Sequence, residues 1–214
     1  MRRFFQGSMT VCTLLAATFV VGCGDGDKKM AMTPPPPAQR PAEMDQLAWM
    51  IGSWDFEMTG TMMGMDKPFV CKGTSTAAWD VDRWVITEHV QGTMGEMPGM
   101  FHGMGIYMYD PKAKAYRTGW LDNEGGMSHG RMTYDAGTQM WKTKGMSEKL
   151  ASGAKSKGEG WMKMVDANTI EWGGTEYDAH GNKIMDMKGT SRRHGMAAAT
   201  GTGAATAETM MPMK

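Results

Sequence analysis

Apolar and polar residues alternate in short runs through the middle of the chain. In the first run, Trp54, Phe56 and Met58 alternate with Asp55 and Glu57, which is typical of a strand with one face in a core and the other in water. Similar runs follow at residues 69–79, 83–92, 102–109, 115–121, 127–134, 139–146, 158–165, 169–177 and 183–192. Asp, Asn, Gly and Pro residues separate the runs at intervals of about 8 to 12 residues, as in sandwiches and barrels of antiparallel strands. The pattern therefore predicts about ten strands joined by hairpins.

A chain of consecutive hairpins closes most simply into a barrel, because closure leaves no strand edge exposed. The segment 43–51 differs from the strands, since Leu47, Met50 and Ile51 would share one side of a short helix. We therefore expect residues 43–193 to form one all-β domain. Its predicted architecture is an antiparallel up-and-down barrel of about ten strands, preceded by a short N-terminal helix.

Both ends of the chain lack the alternation. Residues 23–42 include four consecutive prolines at positions 34–37, and this segment predicts an extended linker. Residues 194–214 are rich in Ala, Thr, Gly and Met without periodicity, so we expect a disordered tail.

The N-terminus has the organisation of an export signal. Arg2 and Arg3 precede an apolar stretch over residues 9–22, which is too short to span a bilayer. The segment Val20-Val21-Gly22-Cys23 resembles the lipobox of bacterial lipoprotein precursors, in which a peptidase cuts before the cysteine and the cysteine is acylated. We therefore expect residues 1–22 to be a signal peptide and Cys23 to anchor the protein in a membrane of the cell envelope, facing the periplasm or the cell exterior. Gly24 after the cysteine favours the outer membrane by the same resemblance.

Charge and motif content exclude several classes of protein. The 23 basic and 23 acidic residues balance and form no basic cluster, so nucleic acid is not an expected partner. Cys71 is the only thiol of the predicted domain, and we expect it to be a small core residue. The sequence holds no nucleophile elbow, phosphate-binding loop or zinc-ligand spacing. We therefore expect a monomer without enzymatic activity and without a cofactor.

Two short segments resemble the lipocalin and calycin barrels. Gly52-Ser53-Trp54 stands where the helix should become the first strand, and Arg192-Arg193 ends the last run. In that group the tryptophan fills the closed end of the barrel and an arginine of the last strand stacks over its ring. Such a contact is worth about 0.5 to 2 kcal/mol. The resemblance implies that Trp54 pairs with Arg192 or Arg193 where the barrel closes.

Longer motifs resemble one bacterial family. Their sequences are LAWMIGSW at 47–54, WVITE at 84–88, GMGIYMYD at 103–110 and WLDN at 120–123. In order and spacing they are similar to the family named domain of unknown function 1579, and the resemblance covers about residues 43–193. It implies a calycin-like barrel, and it carries over no catalytic residue, because the family has no established reaction.

Aromatic residues are the first candidates for ligand binding. If the barrel is not completely filled, Trp84, Tyr107, Tyr109, Tyr116 and Trp120 would line a cavity for a small apolar or amphipathic ligand. A lipid-anchored, ligand-binding envelope barrel is therefore our leading hypothesis. The alternative is that these rings fill the core and the protein is a structural component of the envelope.

The chain contains 27 methionines, and they suggest a second kind of site. Met94, Met97 and Met100 lie close to His102 in the densest cluster. Thioethers are soft ligands that select Cu(I), so the alternative function is a copper- or silver-binding envelope protein with Cu(I) held by these four residues. Two other interpretations stay open, namely that methionine fills the core in place of leucine and isoleucine, or that it scavenges oxidants by forming sulfoxide.

Overall fold

The computed structural model describes residues 37–95 and 99–195. In this part of the chain ten strands follow one 3₁₀ helix, Ala42–Met50. The strands are β1 (Gly52–Met62), β2 (Phe69–Asp80), β3 (Val85–Met94), β4 (Phe101–Asp110), β5 (Ala115–Asp122), β6 (Gly126–Asp135), β7 (Met140–Lys149), β8 (Ala154–Asp166), β9 (Thr169–Asp178) and β10 (Lys183–Arg193). Each strand pairs antiparallel with the next, and β1 also pairs with β10, so that the sheet closes into a barrel. The predicted all-β up-and-down barrel with a short N-terminal helix is confirmed.

The strand register determines which side chains face the barrel interior. Trp54 and Phe56 of β1 are buried, as the alternation in this strand predicts. Their partners across the β1–β2 pair are Ser75 and Gly73, which therefore face inward as well. Cys71 lies further along the same face of β2 and is buried, in agreement with its expected place in the core.

Aspartate side chains build several of the hairpin turns that the sequence indicates. Asp135 Oδ1 accepts a hydrogen bond of 3.0 Å from the backbone N–H of Gly137. Asp178 Oδ1 accepts one of 2.8 Å from the backbone N–H of Asn182. These bonds satisfy turn N–H groups locally, which is the reason that aspartate favours such positions.

The 3₁₀ helix closes one end of the barrel. Its buried side chains are Met44, Leu47 and Met50. They belong to one apolar cluster with Ala77, Ile86, Tyr116, Met132 and Trp141 of the barrel wall. The Tyr116 hydroxyl also donates a 2.6 Å hydrogen bond to the carbonyl oxygen of Glu43. This end is therefore a packed core, and we refer to it as the closed end.

Charged groups hold Arg40 against the closed end of the barrel. Arg40 forms an ion pair with Asp45 at 2.6 Å, and its hydrogen bond is the main cause that lowers the pKa of the Asp45 carboxyl. The guanidinium groups of Arg40 and Arg83 lie 5.1 and 4.9 Å from the centroid of the Trp79 ring. These contacts hold Arg40, two residues before the helix, against the barrel.

Several predictions concern residues outside the described part of the chain. The signal peptide, Cys23, most of the linker and the tail beyond residue 195 belong to this group. Within the described ranges, no helix combines the length and the apolar character needed to cross a bilayer.

Candidate ligand-binding lumen

Trp54 and Arg193 meet at the closed end. The Arg193 guanidinium carbon lies 3.9 Å from the centroid of the Trp54 ring. The same guanidinium donates hydrogen bonds to the backbone carbonyls of Trp49, at 2.8 Å, and Ile51. Arg192 is exposed on the outer face of β10, where it lies opposite Asp55 of β1. Of the two candidate arginines, the structure therefore places Arg193 over the tryptophan.

Small residues line one side of the barrel interior beyond the closed end. The inward positions of β5 to β8 in this region are Thr118, Ser128, Gly130, Thr143, Gly145, Ser147, Ser156, Gly158 and Gly160. The inward serine and threonine side chains are only half-buried, whereas side chains in a filled core are excluded from solvent. The interior is therefore open toward the end of the barrel opposite the helix. We call this space the lumen and its open end the mouth.

Aromatic residues line the other side of the lumen. The rings of Phe56 and Trp172 are in edge-to-face contact, with 6.3 Å between their centroids. The Trp172 indole N–H donates a 2.9 Å hydrogen bond to Ser191 Oγ. A Cβ atom at Gly189 would lie 2.5 Å from the Trp172 ring, so a glycine is needed for the ring to lie against β10. The lumen thus has an apolar wall and a polar wall.

Glu88 is a carboxylic acid in the interior of the barrel. It faces inward on β3, where it pairs with Gly105 of β4. The Tyr107 hydroxyl donates a 3.1 Å hydrogen bond to Glu88 Oε2. Burial raises the pKa of the Glu88 carboxyl, and hydrogen bonds from Ser75 and Tyr107 act in the opposite direction. Burial and the neighbouring carboxylate also raise the pKa of the Tyr107 hydroxyl. The arrangement offers a carboxylate, held by two hydroxyl groups, to a ligand in the lumen.

A second carboxyl group faces the lumen nearer the mouth. Glu176 of β9 pairs with Gly158 of β8 and accepts a 3.2 Å hydrogen bond from Ser147 Oγ. A Cβ atom built at Gly158 would have Glu176 Cγ, at 3.9 Å, as its nearest neighbour. This contact shows that the inward side of Gly158 opens onto free space.

Two of the five predicted aromatic residues lie in the lumen. Tyr107 belongs to the Glu88 site described above and also packs against the apolar cluster of the closed end. Trp120 faces inward from β5, pairs with Gly105 and stacks on Phe101 near the mouth, with 6.3 Å between ring centroids. These two residues are positioned to contact a ligand.

The other three predicted aromatic residues lie elsewhere. Tyr109 and Tyr116 pack edge-to-face, with centroids 5.0 Å apart, and both belong to the core of the closed end or pack against it. Trp84 was expected within a strand, but it lies in the turn before β3. The residues of this turn have positive φ, including Val81 at 46° and Arg83 at 66°. Because this conformation is not that of a strand, Trp84 lies outside the β2–β3 pairing.

The sequence interpretation did not single out the polar residues of the lumen. Glu88 stands in the motif 84–88, but a polar residue in a strand is normally assigned to the outer face. A usable signal lies in β8, where Lys155, Lys157 and Glu159 alternate with Ser and Gly. Such a strand has small residues on its inward face, which indicates unfilled space rather than a core.

The three described residues of the predicted copper site, Met94, Met100 and His102, do not converge. Met94 faces the interior of the barrel on β3, whereas His102 faces outward on β4, and successive side chains of a strand point to opposite faces. Met100 is exposed, and Met97 lies outside the described residues. His102 instead lines a depression of about 380 Å³ on the outer wall together with His89. In the described ranges, no group of three or more His, Cys, Asp or Glu side chains is arranged to hold a metal ion.

The geometry defines the class of this protein as a ten-stranded, antiparallel β-barrel with one closed end. The chain belongs to the family described as "Protein of unknown function (DUF1579)", which matches residues 39–203. The family resemblance inferred from the sequence motifs is therefore confirmed. No curated protein matches this chain.

Solved structures of distant sequences share the fold. Rv2717c from M. tuberculosis superimposes with a TM-score of 0.56 at 11% identity, over 73% of this chain and 99% of that one. The S-type phycobiliprotein lyase CPES from Guillardia theta gives a TM-score of 0.50 at 10% identity, over 74% of this chain and 96% of that one. At these identities the similarity establishes the barrel fold alone.

Proposed function

We propose that this protein binds a small amphipathic molecule in the lumen and catalyses no reaction. The observation that carries the proposal is the polar wall of β5 to β8, whose inward serines and threonines are half-buried instead of packed. Natural cores are filled to high density, so a barrel with an unfilled interior provides the concave, preformed space that small ligands occupy.

The two walls of the lumen favour a molecule with apolar and polar parts. Phe56 and Trp172 offer aromatic surface, and each buried aromatic ring contributes a large contact area. Glu88 and Glu176 offer hydrogen-bond acceptors on the inward face. A purely apolar ligand would leave these carboxyl groups desolvated without partners, which is costly.

A leucine at Gly158 is expected to block the lumen. Because a Cβ at this position meets nothing closer than 3.9 Å, the larger side chain extends into the space without displacing the backbone. We expect Gly158→Leu to weaken binding of the neutral dye Nile red at least tenfold in a fluorescence titration of the full chain. The matched control is Gly119→Leu, since Gly119 lies on the outer face with its nearest contacts at 3.8 and 3.9 Å, and we expect its affinity to stay within twofold.

Equal affinities of the two leucine variants would place the dye on the outer surface and would overturn the proposed lumen site. Absence of dye binding by the unmodified chain would do the same, and it would favour a structural role instead. Circular dichroism and thermal unfolding of each variant establish that the barrel remains folded in the comparison.

We further propose that Cys23 anchors this barrel to a membrane of the cell envelope. The support is the lipobox-like segment 20–23 after a short apolar stretch. Two or more acyl chains are needed for stable anchoring. We expect mass spectrometry of the protein from its native host to find an N-terminal peptide that begins at Cys23 and carries acyl chains. A mature chain that retains residues 1–22, or an unmodified Cys23, would contradict the anchor.

A further inference from the structure

The lumen contains acidic groups without basic partners. Glu88 and Glu176 face inward, and neither takes part in any ion pair found in the described ranges. The two inward Asp side chains near the mouth differ from them, because Asp122 and Asp178 accept hydrogen bonds from backbone N–H groups of their own turns. The two glutamates, by contrast, accept hydrogen bonds from hydroxyl groups and not from turn N–H groups.

Basic residues of the described strands are almost all on the outside. Of the Lys and Arg residues in these strands, only Arg193 and Lys149 lie on the face that points toward the barrel axis. Arg193 is occupied at the closed end by two carbonyl groups and the Trp54 ring. Lys149 lies exposed at the mouth, where it pairs with Glu124 at 3.3 Å. A cleft with one sign of charge and low-dielectric walls concentrates ions of the opposite sign.

The surroundings of Glu88 suit an ammonium group. Ser75 and Tyr107 hold the carboxyl group in place. The Tyr107 ring lies beside Glu88, because a Cβ atom built at Gly105 would lie 3.3 Å from Tyr107 Cε2 and 3.6 Å from Glu88 Cβ. The Trp120 ring lies over Gly103, one inward position nearer the mouth. A cation between a carboxylate and aromatic rings gains both ionic and cation–π attraction.

We infer that the lumen selects cationic amphipathic molecules, with an ammonium head on Glu88 and an apolar body directed toward the mouth along Phe56 and Trp172. This inference rests on the proposed function and adds the chemical class of the ligand. An anionic lipid such as a fatty acid would instead place its carboxylate beside the Glu88 carboxylate, and like charges in a low-dielectric site repel each other.

The test compares three molecules with the same ten-carbon chain: decylammonium, decanol and decanoate. Each is titrated below its aggregation concentration into the full chain at neutral pH, and displacement of Nile red reports its affinity. We expect decylammonium to bind at least tenfold more tightly than the other two. This first comparison needs only the unmodified chain.

The second part of the test assigns the selectivity to one residue. We expect Glu88→Gln to weaken decylammonium binding and to bring its affinity within twofold of the affinity for decanol. Glu57→Gln is the control, because Glu57 lies on the outer face in an ion pair with Lys72, and it should retain the preference.

The outcomes separate this inference from the proposed function. If decanol and decanoate bind in a manner that Gly158→Leu weakens, and decylammonium has no advantage, the lumen binds ligands but the cationic class is wrong. A preference that survives Glu88→Gln overturns the assignment of the head to Glu88. If none of the three molecules displaces the dye although Gly158→Leu weakens its binding, the cationic class is wrong as well, whereas the proposed function itself fails only if the unmodified chain binds no dye or Gly158→Leu leaves dye binding unchanged.

Discussion

Replacing Arg193 with methionine should lower the free energy of unfolding by about 3 kcal/mol. The change removes two hydrogen bonds from a charged donor, to the carbonyls of Trp49 and Ile51, and bonds to charged groups contribute about 1.5 to 3 kcal/mol each. It also removes the contact with the Trp54 ring, worth about 0.5 to 2 kcal/mol. Methionine recovers part of this loss because it keeps an apolar stem of similar length. Urea unfolding followed by tryptophan fluorescence measures the difference.

The neighbouring arginine is a matched control for this prediction. Arg192 is exposed on the outer face of the same strand, and a surface substitution of this kind changes stability by about 0.5 kcal/mol or less. If Arg192→Met and Arg193→Met were equally destabilising, the loss would come from the charge of β10 in general. The closure of the barrel by Arg193 would then be refuted.

Replacing Met44 with alanine should be as damaging, at about 2 to 5 kcal/mol. Met44 has no exposed surface and belongs to the cluster of the closed end. Its sulfur also accepts a 3.1 Å hydrogen bond from the backbone N–H of Tyr109. Alanine would leave a cavity at this point, because the barrel wall closes the space on the other side and cannot collapse into it. For a domain of ordinary stability, about 5 to 15 kcal/mol in total, a large share is lost.

Met63→Ala is the matched control, because it makes the same substitution at an exposed position. The Met63 side chain is 67% exposed in the loop after β1, so Met63→Ala should alter the unfolding free energy by about 0.5 kcal/mol or less. Thermal unfolding of both variants in parallel makes the comparison. A Met44→Ala protein as stable as Met63→Ala would mean that the helix does not pack into the barrel in solution.

The methionines therefore do not have one common explanation. Core filling accounts for Met44, Met50 and Met132, which are buried. It does not account for the methionines that are exposed in the described ranges, which are Met62, Met63, Met65, Met100, Met108, Met127, Met146 and Met164. Nothing in the structure explains why these surface positions carry methionine.

The barrel could be predicted because local sequence rules agree with it. The alternation from Trp54 onward has the period of a strand with one buried face, and Asp135 and Asp178 stand where a side-chain oxygen can build a turn. The closing pair could be predicted only as far as a choice between two adjacent arginines. Which of them faces inward depends on the register of β10 against β1, and register is a property of the pairing.

The lumen was harder to predict, because its inward face carries polar residues where a barrel interior is usually apolar. Alternation gives two faces but does not say which is inside when both are polar, as in β8 with its lysines on one face and its serines and glycines on the other. Tyr109 and Tyr116 look equal to Tyr107 in sequence, yet both contact the helix, at Met44 and at Glu43. The Tyr107 hydroxyl instead reaches Glu88. That difference arises from contacts between the helix and strands that are distant from it in the sequence.

Because the helix closes one end of the barrel, a ligand of the lumen would have to enter and leave through the mouth. From Glu88, β3 runs on to Met94 at the rim, which is about 20 Å of strand and roughly 15 Å of depth for a typical tilt. A molecule that seats its head first will therefore keep any longer tail outside in the surroundings. Under the proposed function, the part of a ligand that extends beyond the rim would stay exposed to solvent.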